Sequence, residues 1–178
     1  TEVTVAGASV RVPAKVVAAP SSSTSAPSRV SWPSASKSRL VAKRTPSTTD
    51  IVVEARGAFL GGADAISSSN TFPSLPLIDP ESLEFEMNVD GYVSSGGLGG
   101  PAILPQSMAK MAQLTQAFPD KAFSGIGGIA DFGHALNYFL LGCGTVQVCT
   151  AAMLDKAIGP NVIRQLKEGL AEFIERNA

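Results

Sequence analysis

From residue 39 onward, a short apolar or β-branched run gives way to a small-residue turn and an amphipathic helical pattern, four times in succession. A chain with that order buries both kinds of element most readily by laying its strands parallel and packing the helices across them. The first strand is predicted over residues 39–43, closed by Thr45 and Pro46. A helix follows from an N-cap at Asp50, with Ile51, Val52, Ala55, Ala58 and Phe59 on one face and Gly61-Gly62 as its stop. The second strand is placed over 63–67, and after a long loop Met108, Met111, Leu114, Thr115 and Phe118 mark a second helix. A third strand over 122–125 leads to a helix capped by Asp131, with Ala135, Leu136, Phe139 and Leu140 on its apolar side and Gly142 at its end. The fourth strand spans 145–149, and Ile163, Leu166, Leu170, Phe173 and Ile174 form the stripe of the last helix. Two α/β architectures compete: a small open sheet, or the C-terminal half of a TIM (β/α)8 barrel with four βα units and parallel strands. A whole barrel takes about 250 residues. Four strands cannot close one, so a half barrel leaves two open edges and an uncovered inner face.

Composition matters most at the start. Residues 1–50 hold seven Lys/Arg and two acids, whereas the remainder holds seven Lys/Arg and thirteen acids. Much of the stretch before residue 39 is Ser, Pro, Ala and Thr, with too few large apolar side chains to offset its ordering entropy. Residues 1–38 are therefore expected to be an irregular, poorly ordered or unrelated segment, with the patterned domain over 39–178. A Ser-rich, basic start also fits an organelle transit peptide, but the disordered reading is preferred. The sequence does not begin with Met and is expected to be processed or a fragment. A formal net charge of -1 gives no basic field for nucleic acid, and no apolar run nears the roughly 20 residues of a membrane span. Two cysteines are too few for a disulfide scaffold or a Cys-rich zinc site. No secretory signal is legible, so the protein is expected to be intracellular and cytoplasmic.

Five short motifs could carry chemistry. GIGG at 125–128 sits between a strand and a helix, where glycines let backbone N–H groups approach a phosphate. It lacks the spacing of a dinucleotide fingerprint, and alone it reads as a tight βα turn. Cys149-Thr150 ends the fourth strand, and loops after the last two strands of such a barrel often bind phosphate. Lys43 ends the first strand, where a cation could stabilise negative charge on a bound ring; otherwise it is a surface lysine. Asn70 and Thr71 end the second strand and can both donate and accept, as a heterocyclic edge requires, or form a simple Asx turn. GGLGG at 96–100 lies in the long loop before the second helix. His134 lies in the first turn of a helix with no acidic partner in sequence and reads as a surface or packing residue. Glu81, Glu84 and Glu86 read as a solvated acidic loop rather than metal ligands, and Cys143 as a packing residue.

Taken in order, VAKRTPSTTDI, GGADAISSSNT, SGGLGGPAILP, FSGIGGI and GCGTVQVCTAAML resemble the FMN-binding barrel of dihydropyrimidine dehydrogenase. The likeness to dihydroorotate dehydrogenase is more distant, with QVCTA favouring the former. The resemblance covers residues 40–178. It implies FMN as cofactor, with Lys43 near the N1/O2 edge of the flavin. It places Gly96, Gly97, Gly127, Gly128, Cys149 and Thr150 around the ribityl phosphate, and Asn70 and Thr71 on a pyrimidine base. The implied reaction is reduction of uracil or thymine to the 5,6-dihydropyrimidine. Electrons come from NAD(P)H through a partner with FAD and iron–sulfur clusters. There are departures. Ser47 stands where the family has Asn, and Gly99 where Ser is common. The family's proton-donating loop cysteine belongs upstream of Lys43, and residues 1–38 contain none. No catalytic residue is therefore assigned, and this chain alone is expected to be impaired, to fold against a partner half or as an oligomer, or to be a non-catalytic flavin-binding remnant.

Overall fold

The computed structural model describes residues 2–5, 8–11, 39–154 and 159–177. Strands β1 (Glu2–Val5) and β2 (Ala8–Arg11) form an antiparallel pair with Val3 opposite Val10. Residues 1–38 are expected to be irregular, and these two short strands are their described part. The rest of the Ser/Pro-rich stretch, Trp32 included, lies outside the described residues.

The main sheet is parallel and four-stranded, with β3 (Val41–Lys43), β4 (Ala65–Ser68), β7 (Ala122–Ile126) and β8 (Thr145–Gln147) side by side in chain order. Between β4 and β7 the chain makes a small antiparallel pair, β5 (Phe72–Ser74) with β6 (Gly96–Leu98). Helices α1 (Ile51–Leu60), α2 (Leu104–Ala117) and α3 (Phe132–Leu140) follow β3, β6 and β7, and short α4 (Ala151–Leu154) and α5 (Val162–Asn177) follow β8.

Strand alternation separates the two faces. Ile66 and Phe123 are buried in the core under the helices, with Ala42 and Val146 packed against it. On the other face, Lys43, Ser67, Ser124 and Thr145 fall in one row across the four strands. A doubly wound sheet reverses its strand order and carries helices on both faces; among the described residues this sheet does neither, as an arc of a (β/α)8 barrel should. Among the described residues, β3 and β8 each pair along one edge only.

Local signals act as their chemistry dictates. The Asp50 carboxylate accepts from the Val52 and Val53 N–H groups at 2.9 and 3.1 Å, and Asp131 caps α3 through the His134 N–H at 2.9 Å. Two stripes are rotated from expectation. In α3 the fully buried residue is Tyr138, while Leu140 is 46% exposed. In α5 Val162 is buried and Ile163 lies outward. In both, flanking apolar residues blur the helical period, and tertiary contact decides which turns inward.

Candidate functional site

A cleft opens at the carboxyl ends of the four parallel strands, where the loops after β3, β4, β7 and β8 meet. Backbone bonds set these loops in register: the Arg44 N–H donates to Ser67 O at 2.8 Å, Asn70 N–H to Arg44 O at 3.1 Å, and Ser69 N–H to Ile126 O at 2.8 Å. Lys43 is therefore delivered to one wall, as an exposed residue. Its neighbour Arg44 pairs instead with Glu54 on α1. Hydrogen bonds from Thr48 and then Arg44 hold the Glu54 carboxyl below the ordinary carboxylate range. Lys110 ties α2 to the same loop by donating to Thr48 O at 3.1 Å.

Asn70 and Thr71 stand on the adjoining wall. The Thr71 N–H donates to Asn70 Oδ1 at 2.9 Å, which fixes the amide and leaves its NH2 without an acceptor among the described residues. Opposite them is the turn after β7. Gly127 and Gly128 have φ of 123° and 79°, a region that L side chains seldom enter. A Cβ on Gly127 would lie 2.4 Å from Ser107 Oγ, and one on Gly128 would lie 2.5 Å from Leu104 Cβ. Behind the turn, Tyr138 donates to Gly127 O at 2.8 Å, and Ser69 and Ser107 share a buried hydroxyl bond of 2.8 Å.

Lys43, Asn70, Thr71, Gly127, Gly128, Cys149 and Thr150 thus line one cleft. Gly96 and Gly97 do not. They belong to β6, paired with Ser74 and Pro73, and a Cβ on Gly97 would fall 2.2 Å from Thr71 Oγ1. The glycines that reach the cleft from this loop are Gly99 and Gly100, which pack on Thr150. Five further lining residues, Ser69, Ile103, Ile126, Ile129 and Gln147, were not among the candidates. Gln147 could have been: it is the polar residue between Val146 and Val148, on the inner-face parity of β8. Its Nε2 donates to Ser67 Oγ at 2.8 Å and Ser124 Oγ at 2.9 Å, joining three strands beneath the cleft.

The remaining candidates lie elsewhere. His134 Nδ1 accepts the Ala130 N–H at 3.3 Å, bracing the start of α3. Cys143 is buried, and burial pushes its thiol up to about 12, whereas Cys149 is exposed. Glu81, Glu84 and Glu86 are exposed, and no group of metal ligands occurs among the described residues. No helix of the described residues is long and apolar enough to cross a membrane.

The dihydroorotate dehydrogenase family model matches residues 7–173. The chain is 34% identical over 141 residues to chloroplastic dihydropyrimidine dehydrogenase (NADP(+)) of Arabidopsis thaliana, covering 76% of this chain and 32% of that protein. It is 34% identical to the catalytic subunit of dihydroorotate dehydrogenase B (NAD(+)) from Petrotoga mobilis and 35% identical to that from Geobacter sp. strain M21. These matches cover 77% and 75% of this chain and 42% of each relative. The chain therefore spans less than half the length of these relatives. Sequential parallel strands, helices on one face and a cleft at the strand ends agree with that match: the chain belongs to the dihydroorotate dehydrogenase family of (β/α)8-barrel oxidoreductases, whose dihydropyrimidine and dihydroorotate dehydrogenases are FMN-binding flavoenzymes.

Proposed function

We propose that the cleft binds FMN and serves an oxidoreductase acting on the CH–CH bond of a pyrimidine ring. The finer reading is reduction of uracil or thymine to the 5,6-dihydropyrimidine. NAD(P)H would supply electrons through a partner carrying FAD and iron–sulfur clusters. One observation carries this reading: seven residues from four separated motifs converge on a single cleft at the strand ends.

The residues suit the cofactor. Gly127 and Gly128 bring the backbone where a Cβ would collide, and the Gly128 N–H has no acceptor among the described residues, as a phosphate cradle requires. When bound, FMN supplies hydride transfer to or from the pyrimidine C5–C6 bond. Lys43 holds positive charge beside the ring and stabilises negative charge that gathers there. The Asn70 amide and Thr71 hydroxyl orient the base by donating to its carbonyl oxygens and accepting from its N–H groups. Gly96 and Gly97 shape this wall indirectly, through Thr71.

Proton transfer is the weak point. Cys143 is too buried and too basic to serve, and residues 1–38 supply no cysteine. With no counterpart of the family's loop cysteine in residues 1–38, this chain alone is expected to be impaired in turnover. The flavin-binding unit is assigned to residues 39–178. The single-sided edges of β3 and β8 favour self-association or docking of a partner half. Two free thiols suit a reducing compartment such as the cytoplasm.

Oxidation of dihydroorotate is the second reading, favoured by the dihydroorotate dehydrogenase B relatives. The test is FMN titration of the purified chain, followed by uracil or dihydroorotate with an artificial electron carrier. Stoichiometric FMN binding with a spectral response to uracil alone supports the first reading. A response to dihydroorotate alone supports the second. No FMN binding removes both.

A further inference from the structure

We infer that the buried Tyr138 hydroxyl fixes the Gly127–Gly128 peptide so that this turn selects a phosphorylated flavin over its unphosphorylated form; the inference rests on the reading of the cleft as a flavin site. In a trans peptide the carbonyl and the following N–H point in opposite directions. Tyr138 donates to Gly127 O at 2.8 Å, with a longer approach of 3.4 Å to Ile126 O. The Gly127 carbonyl is thus drawn back toward α3, and the Gly128 N–H is turned to the other side. With φ of 123° and 79°, the two glycines have conformations other than this one within easy reach. Without an anchor, the free peptide could flip and present its carbonyl to the ligand, which would repel an anion.

The anchor is built, not incidental. Tyr138 is fully buried, and its ring lies across β7 where Gly125 leaves room: a Cβ there would sit 2.4 Å from Tyr138 Cδ1. A phenol is protonated throughout the neutral range and can donate there, and burial raises this one further, to about 12. Ser107 packs under Gly127 and is itself held by Ser69. The turn thus has its carbonyl restrained from behind and its Cα positions enclosed on two sides.

The test compares FMN and riboflavin, which differ by the phosphate, on the 178-residue chain and on Tyr138→Phe, with flavin fluorescence as the readout. Phenylalanine keeps the ring against Gly125, so the fold is retained, and circular dichroism checks this. Losing one hydrogen bond to the turn should weaken FMN about tenfold and leave riboflavin unchanged. In the amide NMR spectrum, inorganic phosphate should shift Gly128 in the wild type and shift it less in the variant. An unchanged FMN-to-riboflavin ratio in Tyr138→Phe overturns the inference while leaving the flavin site standing. A wild type that binds neither flavin overturns both.

Discussion

Two glycine-rich segments border the cleft, and they use glycine for different reasons. At 127–128 the glycines take left-handed backbone angles, are enclosed by Ser107 and Leu104, and have their shared peptide gripped by Tyr138. At 96–97 they lie in an exposed strand, and a missing side chain makes space for Thr71. The first use concerns the backbone as a ligand. The second concerns clearance for another residue's side chain. In a sequence the two look alike: GGLGG at 96–100 reads as one motif, and only the structure separates Gly96 and Gly97, which sit in β6, from Gly99 and Gly100, which line the cleft beside Thr150.

The sharpest way to break this contrast is a single methyl group at each site. In Gly128→Ala the new Cβ meets Leu104 Cβ at 2.5 Å and its Cα at 2.7 Å, and φ is positive as well. Backbone cannot yield as a side-chain tip can. Overpacking and strain together should destabilise the fold by about 3 kcal/mol. Urea denaturation should show the loss, and FMN binding should disappear. A variant with native stability would mean that the turn is looser than its geometry states.

In Gly97→Ala the collision is with the exposed Thr71 side chain, 2.2 Å from Oγ1 and 2.7 Å from Cβ. The hydroxyl can rotate and the loop can shift. A loss of about 1 kcal/mol is expected. Adding Thr71→Gly should restore much of it, because the partner in the clash is removed. If the double variant is no more stable than Gly97→Ala, the contact is not what requires glycine here.

The legible part of the molecule was what local chemistry controls. Asp50 and Asp131 cap α1 and α3 as read, and the four main strands fall within two or three residues of their expected places. The order of motifs also pointed to the cleft, since Lys43 is the last residue of β3 and Asn70 and Cys149 stand two residues past the ends of β4 and β8. Less legible was whatever depends on pairing across sequence distance. The β5–β6 pair joins segments separated by a long irregular loop, and a three-residue strand of Gly-Gly-Leu has no alternation to read. Tyr138 was hidden for a related reason. Its role comes from Gly125, thirteen residues earlier, which clears the surface its ring covers. Gln147 was passed over because its partners, Ser67 and Ser124, lie on two other strands.

The third wall of the cleft offers the mildest test, because it is held by charge instead of by glycine. Arg44 and Glu54 pin the loop that carries Lys43, and both side chains keep about a quarter to a third of their surface in water. Hydrogen bonds to the ionised carboxylate, from Thr48 and then Arg44, place the Glu54 pKa in the folded chain below its ordinary value of 4.5. A depressed folded pKa means that the unfolded chain binds the proton more readily. The stabilisation is therefore complete above the ordinary pKa and is lost as pH falls through the folded one. Glu54→Gln should lower the denaturation midpoint slightly at neutral pH, and the gap to wild type should close as the medium becomes acidic. Solvent screening keeps this effect the smallest of the three, and added salt should shrink it further, whereas Gly128→Ala should not respond to salt. A gap that persists unchanged at low pH would show that Glu54 acts by packing, and the three walls would then differ in shape alone.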